Sequence, residues 1–191
     1  SFTQLFGSTP STVRKYLADT NTWEVVGQSG ISSNRSNYVS MATYQNTPYV
    51  AYSKYYTESN SKVTVKKFNG NEWVTVGLPN FSSGDTRHNK LAIAPDGTPY
   101  ILFCDVANGA KATVMKFNGQ AWVLVGTAGI SEYEIHQTSI AIGPDGTPYV
   151  SYGIYSNMDG GHSYVKKFNG VTWENVGENF SEENGFFQSI K

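Results

Sequence analysis

The chain has little cysteine, little charge and no long apolar run, and each shortage excludes a class of protein. Its single cysteine, Cys104, cannot form an intramolecular disulfide, and zinc sites built on several thiolates are excluded. The 14 Lys and Arg residues nearly balance the 15 Asp and Glu residues, which gives no electrostatic footprint for nucleic acid. No run of 18 apolar residues is present, so membrane insertion is not predicted. Cys104 itself lies in the apolar run 101–104, which favours a core residue over a nucleophile.

What the chain has in abundance is repetition. Its four tryptophans, Trp23, Trp73, Trp122 and Trp173, are 50, 49 and 51 residues apart. Each is followed by Val at the third position and Gly at the fourth, and the last three end phrases such as VKKFNGVTW. A second phrase, PDGTPY, occurs twice between the tryptophans, with a weaker copy, QNTPY. Self-similarity at a period of 40–50 residues is typical of β-propeller blades.

Each repeat divides into four short strands, which we label a to d. Strand a is an apolar run, and Pro-Asp-Gly reverses it into strand b. A variable loop leads to strand c, and Asn-Gly closes a second hairpin into strand d, near the Trp. Helical periodicity is absent. The sequence therefore predicts an all-β protein: one domain over 1–191, a β-propeller of four four-stranded antiparallel blades.

The two ends of the chain start and stop at different points of the repeat. Residues 1–7 precede a divergent strand c, TVRKY, and so correspond to strand b, whereas residues 186–191 align with the start of strand a. The C-terminal strand is therefore predicted to complete the first blade, and deleting 184–191 should destabilise the whole protein. A head-to-tail dimer that forms an eight-bladed ring by the same strand exchange remains the alternative to this monomer.

The unit PDGTPYVAY…VKKFNGxxWxxVG resembles the propeller repeats of bacterial secreted and cell-surface proteins. Its four-fold count is similar to that of hemopexin-type propellers, although the blade motifs differ, and it broadly resembles tachylectin-type lectin propellers without a residue-level match. The resemblance implies an extracellular or cell-surface binding or adhesion module with no catalytic residue. No signal peptide is recognisable in the chain.

Residues that could bind a ligand are expected on one face of the propeller. The a–b and c–d turns share one face and repeat, whereas the d–a and b–c loops share the other face and vary from blade to blade. Because binding residues concentrate in loops on a rigid scaffold, we expect ligand contact in the variable loops. The predicted ligand-binding residues are Arg35, Asn37, Tyr38, Tyr55, Tyr56, Asp85, Arg87, His88, Glu134, His136 and Tyr155.

Other polar residues receive structural interpretations. Asp96 and Asp145 belong to tight turns and offer too few oxygens for calcium. Lys15, Lys67, Lys116 and Lys167 recur before the strand-c aromatic, where a solvated strand face is favoured over a site for an acidic polymer. The histidines lack the spacing of a metal motif, so no cofactor is predicted beyond an ion or water held by backbone groups in the central channel.

Three hypotheses of function follow. The first is a non-catalytic recognition or adhesion module, not an enzyme, that binds a glycan or a surface protein through one composite site. The second is a structural or oligomerisation unit of a larger surface protein. The third is a polysaccharide-acting enzyme that uses acids such as Asp85 and Glu134. No catalytic motif is visible, although a site assembled from distant loops would leave none.

Overall fold

A computed structural model describes residues 2–5, 10–32, 35–55, 61–156, 160–177 and 189–190, with the backbone alone described for 2–5, 155–156 and 160. Fifteen β-strands account for most of these residues, with one short 3-10 turn at Val106–Asn108. The first blade contains β1 Phe2–Leu5, β2 Thr12–Leu17 and β3 Thr22–Val25. The second contains β4 Ser36–Tyr44, β5 Thr47–Lys54, β6 Val63–Phe68 and β7 Trp73–Thr75. The third contains β8 Thr86–Ile93, β9 Pro99–Asp105, β10 Lys111–Phe117 and β11 Trp122–Leu124. The fourth contains β12 Ile135–Ile142, β13 Pro148–Ser156, β14 Gly160–Phe168 and β15 Trp173–Asn175.

The strands form four antiparallel sheets in sequence order, which are the four blades of a β-propeller. The C-terminal segment continues this arrangement beyond the fourth blade. The backbone N–H of Ile190 donates to Ser139 Oγ at 3.2 Å, just as the N–H of Leu91 donates to Ser40 Oγ at 3.0 Å. Ile190 therefore occupies the strand-a position that completes the first blade. The predicted fold class is confirmed, although residues 186–188 and 191 of the predicted strand lie outside the described residues.

The hairpin turns use the residues that their backbone conformations require. Asn69 Oδ1 accepts hydrogen bonds from the backbone N–H groups of Asn71 and Glu72, both at 2.9 Å. Gly70 follows with φ of 99°, a conformation that favours glycine. In the other type of turn, Asp96 Oδ1 accepts from the Thr98 N–H at 2.9 Å, and this bond is the main reason why the pKa of Asp96 is lowered. These repeated polar residues are turn chemistry.

The repeated tryptophans connect neighbouring blades. Nε1 of Trp122 donates to the carbonyl of Val76 in the preceding blade at 2.8 Å, and Trp73 and Trp173 make the same bond to Val26 and Val125. These three indoles are 6–8% exposed. The Gly after each Val lets the aromatic rings approach, since a Cβ added at Gly77 would lie 2.9 Å from the Phe117 ring. The Trp-x-x-Val-Gly phrase is therefore the contact between blades, which we call the seam.

Apolar clusters fill the three seams that the structure describes in full. The largest cluster joins the third and fourth blades and includes the fully buried Leu102, Val114 and Val150. Complete burial of an aliphatic side chain of this size contributes about 1.5–3 kcal/mol to stability.

In the described part of the chain, no helix is long and apolar enough to cross a membrane.

Candidate functional site

The innermost strand of a blade is strand a of the repeat, which is β4, β8 or β12 in the structure. These strands are longer than predicted, so several residues that were expected in loops lie within them. The apolar run that predicts strand a of the third blade begins at Leu91, but β8 begins at Thr86. Asn37, Arg87 and His136 therefore lie at equivalent positions within innermost strands rather than in d–a loops. The extension escaped notice because each of these strands contains a β-bulge, which interrupts the alternation of apolar and polar residues.

The bulge recurs at the same place in three blades. The pairing register shifts between Asn37 and Ser40, between Arg87 and Lys90, and between His136 and Thr138. The residue inside each bulge is Tyr38, His88 or Gln137, with φ of 50°, 54° and 52°. None of these is glycine, so each costs about 1 kcal/mol of backbone strain. Such strain is common where a side chain is held for function, and it marks the loop end of the innermost strands as the candidate site.

Aromatic and charged side chains meet at this end. The Tyr38 and His88 rings have centroids 5.2 Å apart, and those of His88 and His136 are 6.0 Å apart in an edge-on arrangement. Arg87 Nη1 lies 3.7 Å from Glu134 Oε1, and both side chains are 50% exposed. Together with Lys90, whose charge acts on His88, these residues form one group that three blades contribute. We call it the axial cluster: Tyr38, Arg87, His88, Lys90, Glu134 and His136.

His88 is the central member of the axial cluster. Its pKa is lowered from 6.5, first by burial, then by the charges of His136, Arg87 and Lys90, while Glu134 acts in the opposite direction. The imidazole is therefore neutral at neutral pH and can accept a proton. Its backbone is held from the neighbouring blade, because Thr138 Oγ1 donates a hydrogen bond to the His88 carbonyl.

A buried polar network supports the bulge from below. Asn89 is 2% exposed, and its Nδ2 donates to Ser53 Oγ in the second blade at 2.6 Å. Ser53 Oγ also lies 2.6 Å from Thr86 Oγ1, at the first residue of β8. These bonds tie the start of β8 to the second blade, so the position of His88 is fixed from both sides.

The remaining predicted residues lie apart from this cluster or outside the description. The Arg35 guanidinium stacks on the Tyr55 ring, 4.2 Å from its centroid, and the Tyr55 N–H donates to the Arg35 carbonyl. Asp85 is exposed, and its carbonyl accepts from the Val106 N–H. Tyr56 lies outside the described residues, as does the side chain of Tyr155. All eleven residues stay predictions as binding residues.

Sequence reasoning missed Lys90 and Gln137. By pairing register, Lys90 stands where the neighbouring blades have Ser40 and Ser139, and Gln137 stands where they have Tyr38 and His88. A residue-by-residue alignment of the repeats through the bulge would have exposed these departures from the shared pattern.

The thiol and the histidines do not form a metal centre. Among the described residues, no group of three or more His, Cys, Asp and Glu side chains could hold a metal ion. Burial raises the pKa of the Cys104 thiol to about 11, and Sγ lies 3.3 Å from the Ala110 carbonyl. Cys104 is therefore an unreactive core residue, and the axial cluster offers imidazole, phenol and carboxylate groups and two cations.

Two wide clefts lie on the opposite face. A cleft of about 660 Å³ between the first two blades is lined by Lys15 and Lys67, and one of about 520 Å³ between the last two is lined by Lys116 and Lys167. Their other walls are the repeated turns. Because the two clefts are lined by equivalent residues of different blades, we assign the candidate site to the axial cluster, whose residues differ between blades.

No protein-family model matches the chain, and no curated protein sequence matches it. Solved structures do match. A polysaccharide lyase, described as an ulvan lyase bound to -[GlcA(1-4)Rha3S]-, has a TM-score of 0.62 at 14% identity, over 98% of this chain and 53% of that chain. The endo-arabinase from Bacteroides thetaiotaomicron has a TM-score of 0.56 at 11% identity, over 94% and 76%. A putative glycoside hydrolase from Bacteroides ovatus has a TM-score of 0.52 at 14% identity, over 96% and 60%.

These similarities establish the propeller fold, and the chain spans about half the length of the lyase. They also contradict two of our expectations, that the chain is a non-catalytic recognition or adhesion module and that it is not an enzyme. The chains that share its architecture are enzymes that act on polysaccharides. A catalytic site assembled from unlike residues on several strands would leave no motif in the sequence, so the missing motif was no argument against an enzyme. The specific repeat family, a surface-protein partner and the choice between monomer and dimer stay predictions.

Proposed function

We propose that this chain is a polysaccharide-acting enzyme domain that cleaves glycosidic bonds at the axial cluster. The observation that carries the proposal is the neutral, half-buried His88, held between Tyr38 and His136 on a strained bulge. The similar structures of a polysaccharide lyase and an endo-arabinase support a glycan as the substrate.

The cluster has the parts that acid–base cleavage needs. A neutral imidazole can remove a proton, and a phenol or a second imidazole next to it can donate one. Ring centroids 5.2 and 6.0 Å apart place these groups within reach of one bound sugar residue. A positioned general acid or base contributes about 10²–10⁴-fold to a reaction rate, so the loss of His88 should be easy to measure.

The test is a cleavage assay over a panel of neutral and acidic polysaccharides, with new reducing ends as the readout. His88→Asn is the test variant because Asn tolerates a positive φ, so the bulge is kept. Val171→Ala is the control, since Val171 is 84% exposed on the turn face. We expect the wild type and the control to cleave at least one polysaccharide and His88→Asn to lose most of that activity. No cleavage of any polysaccharide, or full activity of His88→Asn, would overturn the proposal.

A further inference from the structure

Lys90 breaks the pattern of the innermost strands at a position that connects blades. In the second and fourth blades this position holds Ser40 and Ser139, whose Oγ atoms accept backbone N–H groups from the next innermost strand at 3.0 and 3.2 Å. An ammonium group has no acceptor, so Lys90 cannot make this bond. The third blade therefore has an exposed cation where its neighbours have a structural acceptor. Lys90 therefore makes no such bond between innermost strands, and this favours a role in binding.

Arg87 brings a second cation to the same blade. The equivalent positions in the neighbouring blades hold Asn37 and His136, so only the third blade carries a permanent positive charge there. Arg87 directly precedes His88 in β8 and Lys90 follows it by two residues, and both cations are exposed, so the two charges lie on the same strand as the imidazole. Among the described residues Lys90 forms no ion pair, and Arg87 pairs only with the half-exposed Glu134.

We propose that Arg87 and Lys90 bind the carboxylate of a uronic acid residue, and that the axial cluster cleaves the polysaccharide beside it by β-elimination. This inference rests on the proposed function and names its substrate class and reaction. A guanidinium matches a carboxylate with two parallel hydrogen bonds, and an ammonium adds a point charge. The exposed pair with Glu134 is worth at most about 1 kcal/mol, so a substrate carboxylate can take its place.

The elimination uses only groups of the cluster and the substrate. His88 takes the proton from C5 of the uronate, the C4–C5 double bond forms, and the C4–O bond breaks. The Tyr38 hydroxyl protonates the leaving oxygen, and the adjacent imidazolium then returns a proton to the tyrosinate, which restores both residues. Charge builds up on the uronate carboxylate as C5 loses its proton, and two fixed cations stabilise that charge. The products are an unsaturated uronate end and a reducing end, with no water consumed and no change of oxidation state.

The experiment compares a uronate-containing polysaccharide with the same polymer after chemical reduction of its carboxyl groups. Two products are followed separately: reducing ends, and the ultraviolet absorbance of the unsaturated uronate. The variant is Lys90→Ser, which installs the residue of the neighbouring blades and should fold. Lys15→Ser is the matched control, because Lys15 is exposed on the turn face.

We expect both products from the acidic polymer and neither from the reduced polymer. Lys90→Ser should lower kcat/KM about 10-fold, the loss expected from one charge-assisted contact, and Lys15→Ser should not. Reducing ends without the absorbance, equal cleavage of the reduced polymer, or full activity of Lys90→Ser would overturn this inference while the proposed function stands. No reducing ends from either polymer or from any of the panel would overturn the proposed function itself.

Discussion

The second, third and fourth blades each contain two regions at fixed positions in the repeat: the seam at the outer strand and the bulge at the innermost strand. At the seam, Trp73, Trp122 and Trp173 make the same hydrogen bond to the preceding blade. At the bulge, the backbone repeats but the side chains are Tyr38, His88 and Gln137. The residue type is therefore the same in each blade where blades pack against each other, and it differs between blades where three innermost strands meet. This comparison separates residues that stabilise the fold from residues that we propose to act on a substrate.

The largest expected effect is on stability, at a seam. Trp122→Ala removes an 8% exposed ring and its bond to the Val76 carbonyl. We expect the free energy of unfolding to fall by about 3–5 kcal/mol, as for other buried aromatic residues. Urea denaturation measures this. The choice of substrate should not change, and a change of substrate preference would break the separation between seam and site.

At the bulge we expect a large loss of activity with little loss of stability. His88→Asn should lower the cleavage rate at least about 10²-fold, because a general base is lost. Its free energy of unfolding should stay within about 1 kcal/mol of the wild type, since Asn also tolerates the positive φ of this position. Denaturation and initial-rate measurements on the same sample test this, and a large loss of stability would show that His88 is part of the scaffold.

Two glycines allow a seam position to be compared with an exposed turn position of the same repeat. Gly77 has φ of 72°, and a Cβ there would meet the Phe117 ring at 2.9 Å, whereas Gly170 has φ of 98° with nothing within 4 Å of a Cβ. Gly170→Ala should cost about 1 kcal/mol of backbone strain. Gly77→Ala should cost about 2–3 kcal/mol, because overpacking adds to that strain. Equal melting temperatures for the two variants would show that the seam is not closely packed.

The pH profile tests the electrostatics of the site. His88 acts as a base only when neutral, so kcat/KM should rise with pH through its lowered pKa, with the acid limb below pH 6.5. The neighbouring cations Arg87 and Lys90 and the second imidazole, His136, lower this pKa, and Glu134 opposes them. Lys90→Ser removes one positive charge, so the acid limb should move to higher pH. An acid limb at unchanged pH would show that the charge of Lys90 does not affect the pKa of His88.

The smallest effect is expected at the first tryptophan. Trp23 is 43% exposed and lies against the Tyr16 ring in a tilted arrangement, with centroids 5.3 Å apart, whereas the other three indoles are buried. Trp23→Ala should therefore cost less than half as much as Trp122→Ala, since burial sets most of the loss. If both variants lose the same free energy of unfolding, Trp23 packs as closely between blades as the other three tryptophans do.

Much of the scaffold could be predicted because each of its rules is local. Asn-Gly and Pro-Asp-Gly specify turns through backbone conformation alone, and the period of Trp-x-x-Val-Gly indicates one blade per repeat. The partner of each indole could not be predicted, because the bond from Trp122 to Val76 joins residues in different blades. The bulges were also missed, since an inserted residue shifts the pattern that reveals a strand.

Five residues of the axial cluster are among the predicted ligand-binding residues, and their role in binding stays a prediction. Tyr38, Arg87, His88, Glu134 and His136 were all expected in variable loops. The structure places them at adjoining ends of innermost strands and adds Lys90.

By itself, the sequence determined the all-β class, the four blades and their turns, because these depend on contacts between residues close together in the chain. Only the tertiary structure decided which polar residues meet. Tyr38 and His136 are each about 50 residues from His88 in the chain, and closure of the blades around an axis brings their rings to 5.2 and 6.0 Å from the His88 ring. The pKa of His88 is likewise a tertiary property, because burial and charges from neighbouring strands set it.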